Sequence, residues 1–131
     1  MSNTLDRDVE NIRAERAAVE AELQAVKRRA DALRVEHARA LLHNAFPHHS
    51  LAVFTRYWEE EEPNLLHILG GEDDIESWAA GTPEYSAACE AEVAIRLIGH
   101  DDDILEFLNA GEEHEGWIEF QLPLTTQEAS S

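Results

Sequence analysis

The sequence predicts an α+β protein: a long N-terminal coiled-coil helix, then a small acidic domain with a β-hairpin, two or three helices and a C-terminal strand. Three observations predict it. A seven-residue apolar repeat runs unbroken from Leu5 to Ala40, strand-like runs recur at 51–58, 64–69 and 116–124, and the net charge of −18 lies entirely in the second part of the chain.

The repeat places Leu5, Ile12, Val19, Val26, Leu33 and Ala40 at one core position and Val9, Arg16, Leu23, Ala30 and His37 at the other. Apolar residues at this spacing form the seam of a coiled coil. Neither Gly nor Pro interrupts it; Asn3 or Thr4 suits its cap, Asp6, Asp8 and Glu10 its N-terminal end, and the Arg/Lys-rich second half its C-terminal end. A helix of about 40 residues is roughly 60 Å long, whereas a compact domain of this size is roughly 30 Å across, so at least half the helix overhangs. An overhanging stripe of Val and Leu needs a partner, and the simplest is the same helix of a second copy. Residues 1–44 are therefore read as an oligomerisation helix, with Leu5, Val9, Ile12, Val19, Leu23, Val26 and Leu33 in the interface of a homodimer. The flanking charges do not set its direction: in a parallel pair Asp8–Arg13 and Glu22–Lys27 attract, while Glu15–Glu20 and Arg29–Arg34 repel.

Pro47, in Asn44–Ser50, ends the helix. Residues 45–124 then read as the acidic domain. LAVFTRYW (51–58) and NLLHIL (64–69) are rich in β-branched, aromatic and aliphatic residues and form a hairpin around Glu59, Glu60, Glu61, Glu62 and Pro63. EDDIESWAAG (72–81) predicts a short helix capped by Asp73 or Asp74. Thr82 as cap, Pro83 at the first helical position and Gly99 as terminator frame a further helix, supported by Tyr85, Cys89, Val93 and Leu97 at every fourth residue; its end, Val93–Ile95–Leu97, also fits a strand. HDDDILEFLNAG (100–111) repeats the short-helix pattern. GWIEFQLPL (116–124) alternates as a half-buried strand that joins the hairpin in an antiparallel sheet, and 125–131 is a flexible tail.

Charge bounds the function. Residues 1–44 carry eight acidic and eight basic side chains; residues 45–131 carry twenty acidic and two basic, Arg56 and Arg96. So uneven a split argues for a local role rather than a general adaptation to salt. No apolar run approaches the roughly 20 residues that span a bilayer, and the N-terminus has no signal-peptide core. Cys89 is the only cysteine, which excludes an intrachain disulfide and is best read as a buried structural thiol. A reduced, cytoplasmic setting follows as the expectation.

Catalytic motifs are missing from the pattern. No phosphate-binding loop or nucleophile elbow occurs, and no Lys stands beside the carboxylates of the acidic part. His37, His43, His48 and His49 lack metal-ligand spacing, and Asp101–Asp103 lack the alternation of a calcium loop. The expectation is a protein without catalytic residues, metal or cofactor, and without direct nucleic-acid or membrane binding.

What remains is the anionic surface itself. Duplex DNA carries one negative charge per about 1.7 Å of axis, a density that eighteen net charges over a body roughly 30 Å long would match. The acidic clusters Glu59–Glu62, Glu72–Asp74, Asp101–Asp103 and Glu112, Glu113 and Glu115 are thus candidate contacts for a basic, nucleic-acid-binding protein, which the chain would approach as a DNA mimic and inhibitor. The alternative is an assembly adaptor or scaffold that works through its coiled coil, with the acidity serving solubility. A small metal-dependent enzyme is a distant third.

Overall fold

The computed structural model describes residues 2–58 and 62–125, the side chains of 2–7 and of His114 excepted. Glu59, Glu60, Glu61 and the tail from 126 onward lie outside the described residues. The elements are α1 (Ser2–Ala45), β1 (Leu51–Tyr57), β2 (Asn64–Leu69), α2 (Pro83–Arg96), α3 (Asp101–Leu105), β3 (Asn109–His114) and β4 (Trp117–Pro123). The architecture is α+β, as the sequence predicts. The chain divides into two units, Met1–Asp31 and Ala32–Ser131.

In the first unit every side chain from Asp8 to Arg29 is exposed. Helical spacing brings Arg16 Nε to 2.9 Å from Glu20 Oε1 and Lys27 Nζ to 2.6 Å from Asp31 Oδ2, i,i+4 pairs that support the helix locally. Asp31 itself is buried.

The second unit is built on a four-stranded antiparallel sheet in the order β2-β1-β4-β3. Two hairpins, β1–β2 and β3–β4, are joined through their inner strands, which pair without a register break from Leu51↔Pro123 to Tyr57↔Trp117. Strand alternation puts Ala52, Phe54, Phe120 and Leu122 on one face, and all four are buried in a core shared with Leu65 and Ile68 of β2. Val35, Ala38 and Leu42 of α1, with Phe46 just beyond it, enter the same core, as do Ala88, Ala91, Ala94 and Ile95 of α2 and Ile104 of α3. The i, i+3, i+7 spacing of the α1 residues is the single apolar stripe that a helix lays on a sheet.

The closing strand joins the hairpin as expected, and α1 stops at Ala45, just before Pro47. Thr82 caps α2, its hydroxyl accepting from Tyr85 N–H at 3.1 Å with Pro83 following, and the helix continues through the strand-like residues to Arg96.

Two predicted helices are corrected. Residues 72–81 form none: Ile75 N–H donates to Ile68 O at 2.9 Å and Ile68 N–H to Ile75 O at 2.8 Å, an isolated bridge along the edge of β2. Pairing with that edge satisfies the backbone groups of Ile75 that a helix would have used, and Ile75 and Trp78 pack against the core from this loop. Gly70 starts the loop at φ +90°, where a Cβ would fall 2.0 Å from Ser50 Oγ. The second helix, expected over 100–111, is only the five residues Asp101–Leu105; the chain turns and Asn109–His114 becomes β3, a strand the sequence did not predict. NAGEEH has little strand propensity, so its conformation comes from pairing with β4.

Candidate interaction surfaces

Cations are the scarce residues of the acidic part, and both are turned inward. Arg56, at the end of β1, makes a two-pronged contact with the Asp101 carboxylate: Nε donates to Oδ1 at 2.7 Å and Nη2 donates to Oδ2. The guanidinium also lies 5.4 Å from the centre of the Trp58 ring. Hydrogen bonding to Asp101 holds the Arg56 pKa above its ordinary value. Arg96 closes α2 by donating from Nε to Pro63 O at 2.9 Å and from Nη2 to Asn64 Oδ1, with Glu92 3.1 Å and Glu62 3.6 Å away. Glu92 in turn accepts from Leu65 N–H at 2.8 Å, so this pair pins the start of β2 to α2. Arg39 of α1 is likewise engaged, donating to Pro123 O at 2.9 Å.

The sequence-predicted acidic contacts separate into two kinds. Glu62, Glu72, Asp73, Asp74, Asp102, Glu112, Glu113 and Glu115 have exposed side chains, whereas Asp101 and Asp103 are half-buried. Asp101 is committed to Arg56 and holds β1 to the start of α3; it does not cap α3, where His100 is the capping residue and makes no side-chain bond. Glu72–Asp74 lie in the bridged loop and cap no helix, so the structural need that capping would have supplied for their charge is gone. Glu112 and Glu113 lie on β3, an edge strand, where charge discourages pairing with another sheet. The clusters are thus spread over the β2–α2 loop, α3 and the β3–β4 hairpin rather than gathered at one point.

The heptad residues form the second surface. Val9, Ile12, Val19, Leu23, Val26 and Leu33 are between 47% (Val9) and 70% (Leu33) exposed; Leu5 falls where side chains lie outside the described residues. Within 32–45, α1 buries Val35, Ala38 and Leu42 and leaves Leu33 outward. The stripe that packs against the sheet is therefore a different stripe from the heptad. His37, at a seam position, reaches Glu90 of α2 with Nε2 3.2 Å from Oε2.

Cys89 corrects the expectation of a buried thiol: it is exposed. The spacing argument placed Tyr85, Cys89, Val93 and Leu97 correctly on one helical face, but that face points to solvent, because α2 turns its alanines to the sheet. A hydrogen bond between Tyr85 and Cys89, followed by the charge of the thiolate, raises the Tyr85 pKa.

Clefts among the described residues of the second unit include two that are lined by titratable groups. One, of about 820 Å³, is lined by His48, His49, Gly70, Gly71, Glu72, Asp73 and Ile75. His49 Nε2 lies 2.8 Å from Asp73 O, and Gly71 passes so near that a Cβ would fall 2.6 Å from the same nitrogen. The other, of about 450 Å³, lies beside Arg56, Gly99, His100 and Asp101. Among the described residues no group of three His, Cys, Asp or Glu side chains is placed to hold a metal ion, and no helix is long and apolar enough to cross a membrane.

These features define a small α+β protein with an exposed, heptad-patterned N-terminal helix and an anionic domain built on a four-stranded sheet. No protein family, no curated protein and no solved structure matches the chain.

Proposed function

We propose that the protein is a non-catalytic, cytoplasmic binding protein that dimerises through α1 as a coiled coil and uses its acidic domain to engage a basic, nucleic-acid-binding protein, occupying that partner's nucleic-acid site as a DNA mimic. The observation that carries this reading is the disposition of Arg56 and Arg96. Both are spent on internal carboxylates and carbonyls, so the outward charge of the described residues from 45 onward is anionic. A surface of one sign raises the local concentration of oppositely charged partners and accelerates their association, and doubling it in a dimer adds valence.

The test is salt-dependent capture of basic proteins from the native host, with duplex DNA as competitor. Neutralising the quartet by Glu59→Gln, Glu60→Gln, Glu61→Gln and Glu62→Gln together is expected to weaken capture and flatten its salt dependence. Binding indifferent to salt, to DNA and to these four changes refutes the reading.

A second reading, an adaptor that works through α1 with acidity serving solubility, is favoured by the exposure of the heptad stripe. It predicts that polar changes at Val19, Leu23 and Val26 abolish partner binding while the glutamine variant leaves it intact.

A further inference from the structure

The arrangement of α2 is inverted with respect to an ordinary surface helix. Its small residues, Ala88, Ala91 and Ala94, are buried with Ile95 against the core, while Tyr85 (40% exposed), Val93 (51%) and Leu97 (60%) face outward with Cys89. Alanines inward let the helix lie close to the sheet, which accounts for the buried side. No contact among the described residues accounts for the outward side, where four apolar or weakly polar residues follow one another at i, i+4, i+8 and i+12. Over that span the ridge is about 18 Å long, three to four turns of helix, and it matches the apolar stripe of one facing helix.

Charge selects the occupant. Glu90 flanks the ridge on α2, half exposed with its carboxylate 3.2 Å from His37 Nε2, and the helix's one cation, Arg96, is held by Pro63 O, Asn64 Oδ1 and Glu92, in a domain whose described acidic clusters are largely exposed. A second copy of this domain would bring another anionic surface to an anionic one. A partner helix with apolar residues on one face and Lys or Arg beside them meets both the ridge and the anionic surface of the domain around it, which is how amphipathic helices are recognised.

We propose that the Tyr85–Cys89–Val93–Leu97 face of α2 is the docking ridge for a basic amphipathic helix of the protein partner; this rests on the acidic-binder reading and names the surface that gives that binding its apolar part. Aromatic and aliphatic anchors, rather than dispersed surface charges, dominate protein interfaces. The acidic clusters then steer the encounter, and the ridge holds the bound helix.

The experiment uses the full chain and two synthetic fluorescent peptides of identical alanine, leucine and lysine composition. One has its leucines on a single helical face; the other has them scattered. Cys89, the only cysteine, is a built-in reporter, because a helix seated on the ridge covers its thiol. The expected result is that the amphipathic peptide binds, slows alkylation of Cys89, and binds roughly tenfold more weakly to a Val93→Gln/Leu97→Gln variant of unchanged helix content. Equal, salt-sensitive binding of both peptides with no protection of Cys89 overturns the ridge and leaves the acidic-binder reading standing. Binding of neither peptide overturns both. If the Val93/Leu97 variant instead lowers the protein's own association state, the ridge is a self-contact and the proposal falls.

Discussion

At the residue scale, the Arg56–Asp101 pair shows how a carboxylate that reads as surface charge serves the fold. Its side chains are 15% and 26% exposed, so water screens the pair only in part. Asp101→Asn leaves a guanidinium partly buried without its counter-charge and is expected to cost about 1–3 kcal/mol in urea unfolding, against a change within about 0.5 kcal/mol for the neighbouring Asp102→Asn. Because the Arg56 pKa is raised in the folded state, the stabilisation on its side is fully present below the ordinary arginine value and disappears only as pH rises through the raised one. Tyr85 follows the same sign: a phenol held protonated by Cys89 favours the folded state below the ordinary tyrosine value and ceases to do so as pH rises through the raised value. In a Tyr57→Phe background, where Tyr85 is the sole tyrosine, Cys89→Ala is expected to move its ionisation back down, as followed by tyrosinate absorbance. An unchanged titration means that the thiol does not set it.

At the element scale, α2 is the clearest case of a periodicity that identified the element without assigning its faces, the expected burial of Cys89 being the one reading that the structure corrects. Both the alanine set and the Tyr85–Leu97 set have helical spacing, and the larger residues are the usual choice for the core; the sheet instead takes the alanines. Ala91, with no exposed surface, has no room for extra methylenes, so Ala91→Leu is expected to destabilise by about 1–3 kcal/mol, while Val93→Gln on the opposite face changes stability within about 0.5 kcal/mol. Thermal or urea unfolding of the two variants checks this directly; the reverse order would mean that the faces are exchanged. The 72–81 segment and β3 teach a related lesson. Asp73–Asp74 before Ile75 has the composition of a helix start, and Asn109–His114 that of a loop, yet one runs along the edge of β2 and the other along β4. An open strand edge offers a row of unpaired backbone groups, and satisfying them outweighs a local propensity worth less than about 1 kcal/mol per residue.

At the scale of the whole molecule, the described residues leave the heptad stripe of α1 and the outward side of α2 exposed, and the chain carries a net charge of −18. For the first unit, the proposed coiled-coil dimer predicts that changing Val19, Leu23 and Val26 together to polar residues gives a monomer in sedimentation equilibrium, with helix content falling as the unpartnered helix frays. A monomeric parent chain would remove dimerisation from the proposal and leave α1 as a site for a different protein. Replacing Arg16, at a seam position but bonded to Glu20, by leucine is expected to strengthen the association.

The long helix, the β1–β2 hairpin, the capped start of α2, the closing strand and the uneven charge were all legible in the residues themselves. Each depends on local periodicity, on a Pro or Gly at a defined position, or on simple counting. Tertiary structure alone decided which face of α2 is buried, that Asp101 belongs to Arg56, that Glu72–Asp74 lie in a loop bridged to β2, that Cys89 is exposed, and that a polar hexapeptide is a strand. All five depend on contacts between segments distant in sequence, where packing against a sheet and pairing along its edge choose among conformations that the local chain leaves nearly equal in energy.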